Sequence, residues 1–263
     1  MTNGYRFVLD RAANDAHYKD LFSDKGQFYS TFSRYIHRDV LSVEDEKDKQ
    51  TFFDFCDKHN RIIIKPRASH RGIGVEIIDV NSEKNKNDAW DKVIKDKMVV
   101  EEVMKQNSVL ASPHPQSLNT LRIATAIDKT GVPHMMVACL RMGYGKNCID
   151  NASGGGIFAL INPETGIIES CARDLSAKSY AFHPTSGVLI VGMKIPKWDE
   201  LKQKALEVTA VVPQMRYIGW DWAMNDKDEW ELIEGNNPGG VHMLQLLSGK
   251  GLKKEYDDIL LGS

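Results

Sequence analysis

The chain has 263 residues, enough for one large domain or two lobes with a real core. Its formal net charge is -2, with 27% charged and 42% apolar residues, so no basic excess points to nucleic acid and no charge run to an acidic tail. No stretch reaches the roughly 18 apolar residues of a membrane span, and Met1-Thr2-Asn3-Gly4-Tyr5-Arg6 lacks the apolar core of a signal peptide.

Residues 1–24 are mixed and polar and end in Asp24-Lys25. Residues 25–60 read mostly as helix: Phe28, Phe32, Tyr35 and Ile36 recur at helical spacing, and Phe52, Phe53 and Phe55 belong to a second helical segment. Residues 44–49, rich in Asp, Glu and Lys, read as a solvated helix face. Arg61–Pro66 is a short buried-type strand that runs through Arg67-Ala68-Ser69-His70-Arg71-Gly72-Ile73-Gly74 into a second strand, Val75–Asp79. This hairpin has a tip that could fold over something, because Gly72 and Gly74 let backbone N–H groups approach an anion closely. A lone Gly-X-Gly is usually an ordinary turn, but Lys65 on the preceding strand favours a phosphate. The loop is not of the Walker type, since no Gly-Lys-Ser/Thr opens a helix.

Residues 81–96 are a polar loop entering a helix. Met98–Met104 is the next strand and its exit, either a plain core strand or the wall of a flat apolar slot. After the turn-rich Ser112–Thr120, two strands follow, Leu121–Ile127 and Val132–Leu140. Arg122 sits in an otherwise uncharged strand and needs a partner, either a core carboxylate or a ligand's phosphate or carboxylate. A second Gly-rich loop, Asn151–Gly156, leads into the strand Ile157–Ile161. His183-Pro184-Thr185-Ser186-Gly187 precedes a strand at Val188–Val191, and His183 alone reads as a turn residue. Trp198–Met215 reads as a helix, with Pro196 before it and Pro213 near its end.

Ile218–Met224 and Trp230–Asn237 read as strands, joined by the polar Asn225–Glu229 into a hairpin. A turn centred on Lys227-Asp228 sets Asp221 opposite Glu234, with Asn236 on the same face. Two facing carboxylates repel, which a divalent cation would relieve; the plainer alternative is an exposed hairpin whose acids face water. Mg²⁺ prefers such hard oxygen ligands and is commonly shared with a nucleotide's phosphates. Gly239-Gly240 then leads into a helix at Val241–Leu247, whose N-terminal dipole favours anions. The four cysteines, Cys56, Cys139, Cys148 and Cys171, lack metal spacing and fit reduced thiols in a cytoplasmic protein.

Together these pieces resemble the ATP-grasp superfamily, and within it the sugar-transfer-associated branch. The resemblance is carried by Lys65-Pro66, Gly72-Ile73-Gly74, Ser117-Leu118-Asn119-Thr120-Leu121-Arg122, His183-Pro184, Ile195-Pro196-Lys197-Trp198, Gly219-Trp220-Asp221 and Glu234-Gly235-Asn236, in order, over roughly residues 24 to 240. It implies an α+β fold: a short N-terminal segment (1–24), a small lobe (25–105) and a large lobe (106–263), the lobes holding ATP. It implies ATP and Mg²⁺ as cofactors and a small-molecule acceptor as partner. Lys65 resembles the lysine on the nucleotide phosphates, and residues 67–74 the mobile loop over them. Glu101 resembles the acid near the adenine amino group, with Glu102, Val103, Met104 and Ile233 as further nucleotide contacts. Asp221, Glu234 and Asn236 match the Mg²⁺ set, Arg122 the basic residue that reaches the transferred phosphate, and Lys25 an additional phosphate lysine.

Asn119, Arg122, Arg141, Gly154, Gly155 and His183 are the expected acceptor contacts. The implied activity is a carboxylate–amine ligase working through an acyl phosphate, with a kinase that uses Asp150, Asp174 or His183 as base as its rival. Several ligases of the superfamily carry an arginine two residues before the metal-binding aspartate, where this chain has Gly219. Arg122, Arg141 or Arg71 must then do its work. No ribose-binding acid follows Glu102, and Gln106 or Asn107 is the stand-in. Asp221→Asn and Glu234→Gln are expected to abolish turnover with little loss of fold.

Overall fold

The computed structural model describes residues 1–69, 73–145, 155–240 and 242–262. Its helices are α1 (Asn3–Ala13), α2 (Asp20–Ser23), α3 (Lys25–Thr31), α4 (Lys49–Lys58), α5 (Glu83–Asp96), α6 (Ser108–Ala111), α7 (Trp198–Thr209), α8 (His242–Ser248) and α9 (Lys253–Leu260). Its strands are β1 (Val40–Ser42), β2 (Arg61–Lys65), β3 (Glu76–Asp79), β4 (Val99–Glu102), β5 (Leu121–Ile127), β6 (Pro133–Met142), β7 (Ile157–Ile161), β8 (Ala172–Arg173), β9 (Ser179–Tyr180), β10 (Tyr217–Met224) and β11 (Trp230–Asn236). The chain divides into two compact units, Asp20–Lys105 and Met1–Lys19 with Gln106–Ser263. The expected α+β class holds in each. Among the described residues no helix is long and apolar enough to cross a membrane.

The smaller unit is an antiparallel sheet in the order β1-β4-β2-β3. Phe52 and Cys56 of α4 and Trp90 and Val93 of α5 bury one face, against Ile62 and Ile64 of β2 and Val100 of β4. Side chains alternate along a strand, so Ile63, Lys65, Ile77 and Glu101 lie on the other face. Gly74 closes the β2–β3 connection at φ +75°, where an added Cβ would meet Pro66 Cγ at 2.7 Å, so a glycine is required. Residues 40–42, read from sequence as helix, form β1 instead. Three residues are too few for alternation to register, and the strand exists because β4 supplies its hydrogen bonds.

The larger unit is an antiparallel sheet in the order β11-β10-β5-β6-β7-β8-β9. The Trp220 indole N–H donates to Thr125 Oγ1 (2.8 Å) and Thr209 Oγ1 (3.0 Å), tying β10 and β5 to α7. On the opposite face Ala124, Ala126, Val137, Cys139, Phe158 and Tyr217 form a core with Leu9 and Ala13 of α1, Leu244 and Leu247 of α8, and Tyr256 and Leu260 of α9. Asp221, Arg122 and Arg141 continue this same face by alternation.

Of the residues read from sequence as a short N-terminal segment (1–24), 1–19 group with the larger unit and 20–24 with the smaller one. Asn14 brackets the Tyr217 backbone, accepting its N–H (2.8 Å) and donating to its carbonyl (2.9 Å). Phe7 and Val8 are exposed, which blurs the apolar stripe and hides α1 in the sequence. The strand expected at Val188–Val191 reduces to an isolated bridge between Phe182 and Leu189. The helix expected to run to Met215 ends at Thr209, where residues 210–214 turn back toward β10.

If α1 is core, Leu9→Ala should cost about 2–5 kcal/mol in urea unfolding. A detachable extension would show almost no change.

Candidate active site

In the smaller unit Lys65 Nζ lies 2.6 Å from Glu101 Oε1, Arg38 Nε donates to Glu101 Oε2 at 3.0 Å, and the Tyr29 hydroxyl donates to Oε1. Glu101 is 2% exposed. Burial pushes its carboxyl up, but Lys65 and Arg38 outweigh that and hold it at about 2. The same enclosure, through burial and the Glu101 charge, pushes the Tyr29 phenol well above its usual range. Glu101 was expected to meet an adenine amino group. Its oxygens are engaged with Lys65, Arg38 and Tyr29. Glu102 was expected beside the nucleotide, but its side chain points to the sheet face that carries Ile62 and Val100. Val103 and Met104 continue half-buried past the end of β4. Lys25 Nζ donates to the Ser69 carbonyl (2.9 Å) and Oγ (3.1 Å), anchoring the start of the Gly-rich loop. His70, Arg71 and Gly72 lie outside the described residues.

In the larger unit the hairpin reaches the expected pairing by another route. Met224 faces Trp230 across the loop Asn225–Glu229, so the register starts one residue short of the expected one. An extra residue at Ile233 then makes a bulge between the Asp221 and Trp222 pairings and restores Asp221 opposite Glu234, with Asn236 opposite Gly219. Asn236 Nδ2 donates to Asp221 Oδ2 at 3.2 Å.

The charge balance differs from the expectation of two bare carboxylates. Arg122, paired with Asp221 on the neighbouring strand, donates Nε to Asp221 Oδ1 and Nη2 to Oδ2 (2.9 Å). Arg141 Nη1 donates to Oδ2 at 2.7 Å. Burial pushes the Asp221 carboxyl up, yet Arg122 and Arg141 hold it at about 2. The arginines thus supply the positive charge that repulsion seemed to demand of a metal, and Asp221, Glu234, Arg122 and Arg141 sum formally to zero.

A Mg²⁺ ion still fits this donor set. An ionised carboxylate offers about four lone-pair positions. Among the described contacts Asp221 Oδ1 takes one N–H, from Arg122, and Oδ2 takes those of Arg122, Arg141 and Asn236. The position left for a cation is on Oδ1. Turning Nδ2 toward Asp221 leaves the Asn236 carbonyl oxygen as a second hard ligand, beside Glu234.

Gly219 also has a structural reason. A Cβ there would lie 3.2 Å from Arg122 Cδ and 3.2 Å from Gly239 Cα. Arg122 thus fills, from the adjacent strand, the space over Gly219. An arginine at position 219 would displace it.

Three expected acceptor or base residues are otherwise committed. Asn119 is fully buried: its Nδ2 donates to the Leu110 (2.8 Å) and His114 (3.1 Å) carbonyls, and its Oδ1 accepts from Ser117 Oγ (2.8 Å) and Gly143 N (3.2 Å). His183 is buried and lies 2.9 Å from the Gly143 carbonyl through Nε2, which must donate there, while Nδ1 accepts the N–H groups of Thr185 (3.3 Å) and Ser186 (3.4 Å). That pattern needs the neutral Nε2–H tautomer, and burial, with a smaller push from His114, lowers the ring's basicity. Asp174 accepts from Ser176 N (2.9 Å) and Oγ (2.6 Å), Lys178 N (3.1 Å) and Tyr180 OH (2.9 Å), which lowers its pKa. Gln106 Nε2 donates to the Asn119 carbonyl at 2.5 Å, and Asn107 caps α6. Gly155 is exposed at φ +92°, while Cys148, Asp150 and Gly154 lie outside the described residues. The sequence reading missed Arg38 and Tyr29 on Glu101, and the pairing of Arg141 with Asp221. An arginine beside an unrecognised strand was the available signal for the first.

The family model described as sugar-transfer associated ATP-grasp matches residues 6–260. No curated protein sequence matches the chain. Among solved structures, biotin carboxylase from Campylobacter jejuni, in a β-γ-ATP complex, is similar with a TM-score of 0.61 at 11% identity, over 96% of this chain and 49% of that one. The ATP-grasp ligase PsnB, complexed with minimal precursor, Mg and ADP, is similar with a TM-score of 0.58 at 11% identity, over 95% and 61%. The D-alanine-D-alanine ligase from Coxiella burnetii gives 0.55 at 11% identity, over 92% and 57%. At these identities the likeness is one of fold, and the chain spans less than two thirds of each of these structures.

Glu101 and Asp221 both ionise more readily folded than unfolded. Their stabilisation is full above about pH 4.5 and is lost as the pH falls toward about 2, roughly 2–4 kcal/mol for each. Urea midpoints should therefore drop across that window. Asp221→Asn should be destabilised by about 3–5 kcal/mol at pH 7, because it leaves Arg122 and Arg141 without their counterion, and its acid dependence should be shallower. Unchanged stability would mean that the ion cluster contributes nothing. This replaces the expectation that Asp221→Asn spares the fold.

Proposed function

Because the chain belongs to the sugar-transfer-associated ATP-grasp family, we propose that it is an ATP-dependent carboxylate–amine ligase. An acceptor carboxylate oxygen attacks the γ-phosphorus and breaks its bond to ADP, giving an acyl phosphate. An amine then attacks the acyl carbon, phosphate leaves, and the amine proton is lost. The protein's task in the first step is to position the reactants and neutralise phosphoryl charge.

The observation that carries this reading is the charge-balanced cluster of Asp221, Glu234, Arg122 and Arg141 with Asn236 beside it. A divalent cation alone would leave the cluster with excess positive charge. A cation that arrives with phosphates brings its own counter-charge. Asp221, Glu234 and Asn236 would hold Mg²⁺, which when bound neutralises charge on the phosphates. In this reading Arg122 meets the transferred phosphate and does the work of the arginine absent at Gly219. Lys65, aimed by Glu101, is the second phosphate cation. The complexes of PsnB with Mg and ADP and of biotin carboxylase with β-γ-ATP agree with Mg-ATP as the cosubstrate. The family's description agrees with an acceptor linked to glycan or related metabolism.

The kinase alternative needs a base near the acceptor. Asp174 and His183 are both poor candidates, the first acidified by its loop contacts and the second locked as neutral by its hydrogen bonds.

Mg²⁺ and ATP should therefore bind with strong mutual coupling, each tightening the other by the same factor. Glu234→Gln should remove most of that coupling and nearly all turnover, with little loss of stability because Glu234 is only half-buried. Lys65→Ala should weaken ATP. Tight Mg²⁺ binding without nucleotide, or coupling retained in Glu234→Gln, would overturn the metal assignment. With pooled amino and sugar acids, ³¹P NMR in the presence of hydroxylamine should show ADP together with a trapped hydroxamate. A stable phosphoester would point to the kinase instead.

A further inference from the structure

The helix-covered face of the small sheet, opposite Lys65 and Glu101, carries a second cluster. Asp39 lies just before β1, His59 follows α4, and Glu102 ends β4. One ligand atom from each lies within 4.8 Å of the other two. We propose that Asp39, His59 and Glu102 form a second divalent-cation site, suited to Zn²⁺ or a similar transition-metal ion, that fastens these segments of the smaller unit together.

The donors are preorganised. His59 Nε2 points at Asp39 Oδ2 at 2.7 Å, and its ring packs on Phe55 with centroids 4.8 Å apart. The Glu102 N–H donates to the Asp39 carbonyl (3.0 Å), while the Asp39 N–H donates to Glu102 Oε2 (3.1 Å) and orients that carboxylate. Tetrahedral Zn²⁺ with bonds of about 2.0–2.2 Å sets its ligands about 3.3–3.5 Å apart, so shifts of about 1 Å convert the cluster. One imidazole with two carboxylates suits Zn²⁺ and its neighbours better than Mg²⁺, which favours oxygen alone. The competitor is Lys58, whose ammonium pairs with Asp39 but is largely exposed and can swing into solvent. Glu101 and Glu102 point to opposite faces of β4, so this site is independent of the nucleotide reading.

The test uses the full chain, stripped with chelator, without nucleotide, at pH 7.5. Titration with ZnCl₂ should show one site and raise Tm. His59→Asn and Glu102→Gln should each weaken Zn²⁺ at least about 10-fold. Lys58→Gln should tighten it by removing the competing ammonium. Glu234→Gln should leave Zn²⁺ affinity unchanged. Co²⁺ should bind without thiolate charge-transfer absorption, because the donors are nitrogen and oxygen. The proposal is overturned if neither the native chain nor Lys58→Gln binds Zn²⁺. It is equally overturned if binding survives His59→Asn intact, or if a thiolate band makes cysteine the ligand.

Discussion

The Asp221 carboxylate is the constraint on which the larger unit's site depends. It is buried, ionised, and bonded by two arginines from two neighbouring strands. Taking one carboxylate and two guanidiniums out of water is costly, and well-packed apolar residues would often serve stability as well or better. What the ions contribute is direction. Arg122 and Arg141 are fixed at one end of the sheet, at the positions that begin β5 and end β6, beside Glu234 and Asn236. The bulge at Ile233 belongs to this constraint, because without it the short hairpin loop would carry Glu234 out of line with Asp221.

The smaller unit uses the same device with different residues. Glu101 is as buried as Asp221 and holds one lysine and one arginine, with a tyrosine hydroxyl closing the cage. Glu101 cannot easily become neutral, because its partners' charges outweigh the cost of its burial. Lys65 is thereby held by its ion pair with Glu101. An ammonium on a flexible four-carbon stem would otherwise lose entropy on meeting an anion. A buried carboxylate meets that cost during folding, so it does not fall on binding.

The sequence made the hairpin, the two central strands and the Lys65 strand legible, because each has a residue pattern of sufficient length. Asp221 opposite Glu234 was recovered although the assumed turn centre was wrong, since the loop and the bulge shift the register in opposite senses. What stayed hidden was of two kinds. Short or irregular elements such as β1 and α1 owe their existence to tertiary partners, so local periodicity carries little of them. Charge partners were also invisible. Arg122 had two readings in sequence, a core carboxylate or a ligand phosphate, and its partner proves to be Asp221, itself a candidate metal ligand.

Asn119 and His183 are motif residues whose polar atoms find partners within the fold. Both stand in stretches that carry the resemblance, and both were read as touching an acceptor. In the fold each bonds the backbone of Gly143, just beyond Arg141, while their other polar atoms go to Leu110, His114 and Ser117 for Asn119 and to Thr185 and Ser186 for His183. Burying an amide and an imidazole this way is tolerable only because each polar atom finds a partner. Such satisfied networks specify one conformation of the chain they hold. The motif therefore combines residues that meet charge with residues that fix the strand end presenting it. Asn119 and His183 hold the segment that follows Arg141, while Arg141 itself is held by Asp221.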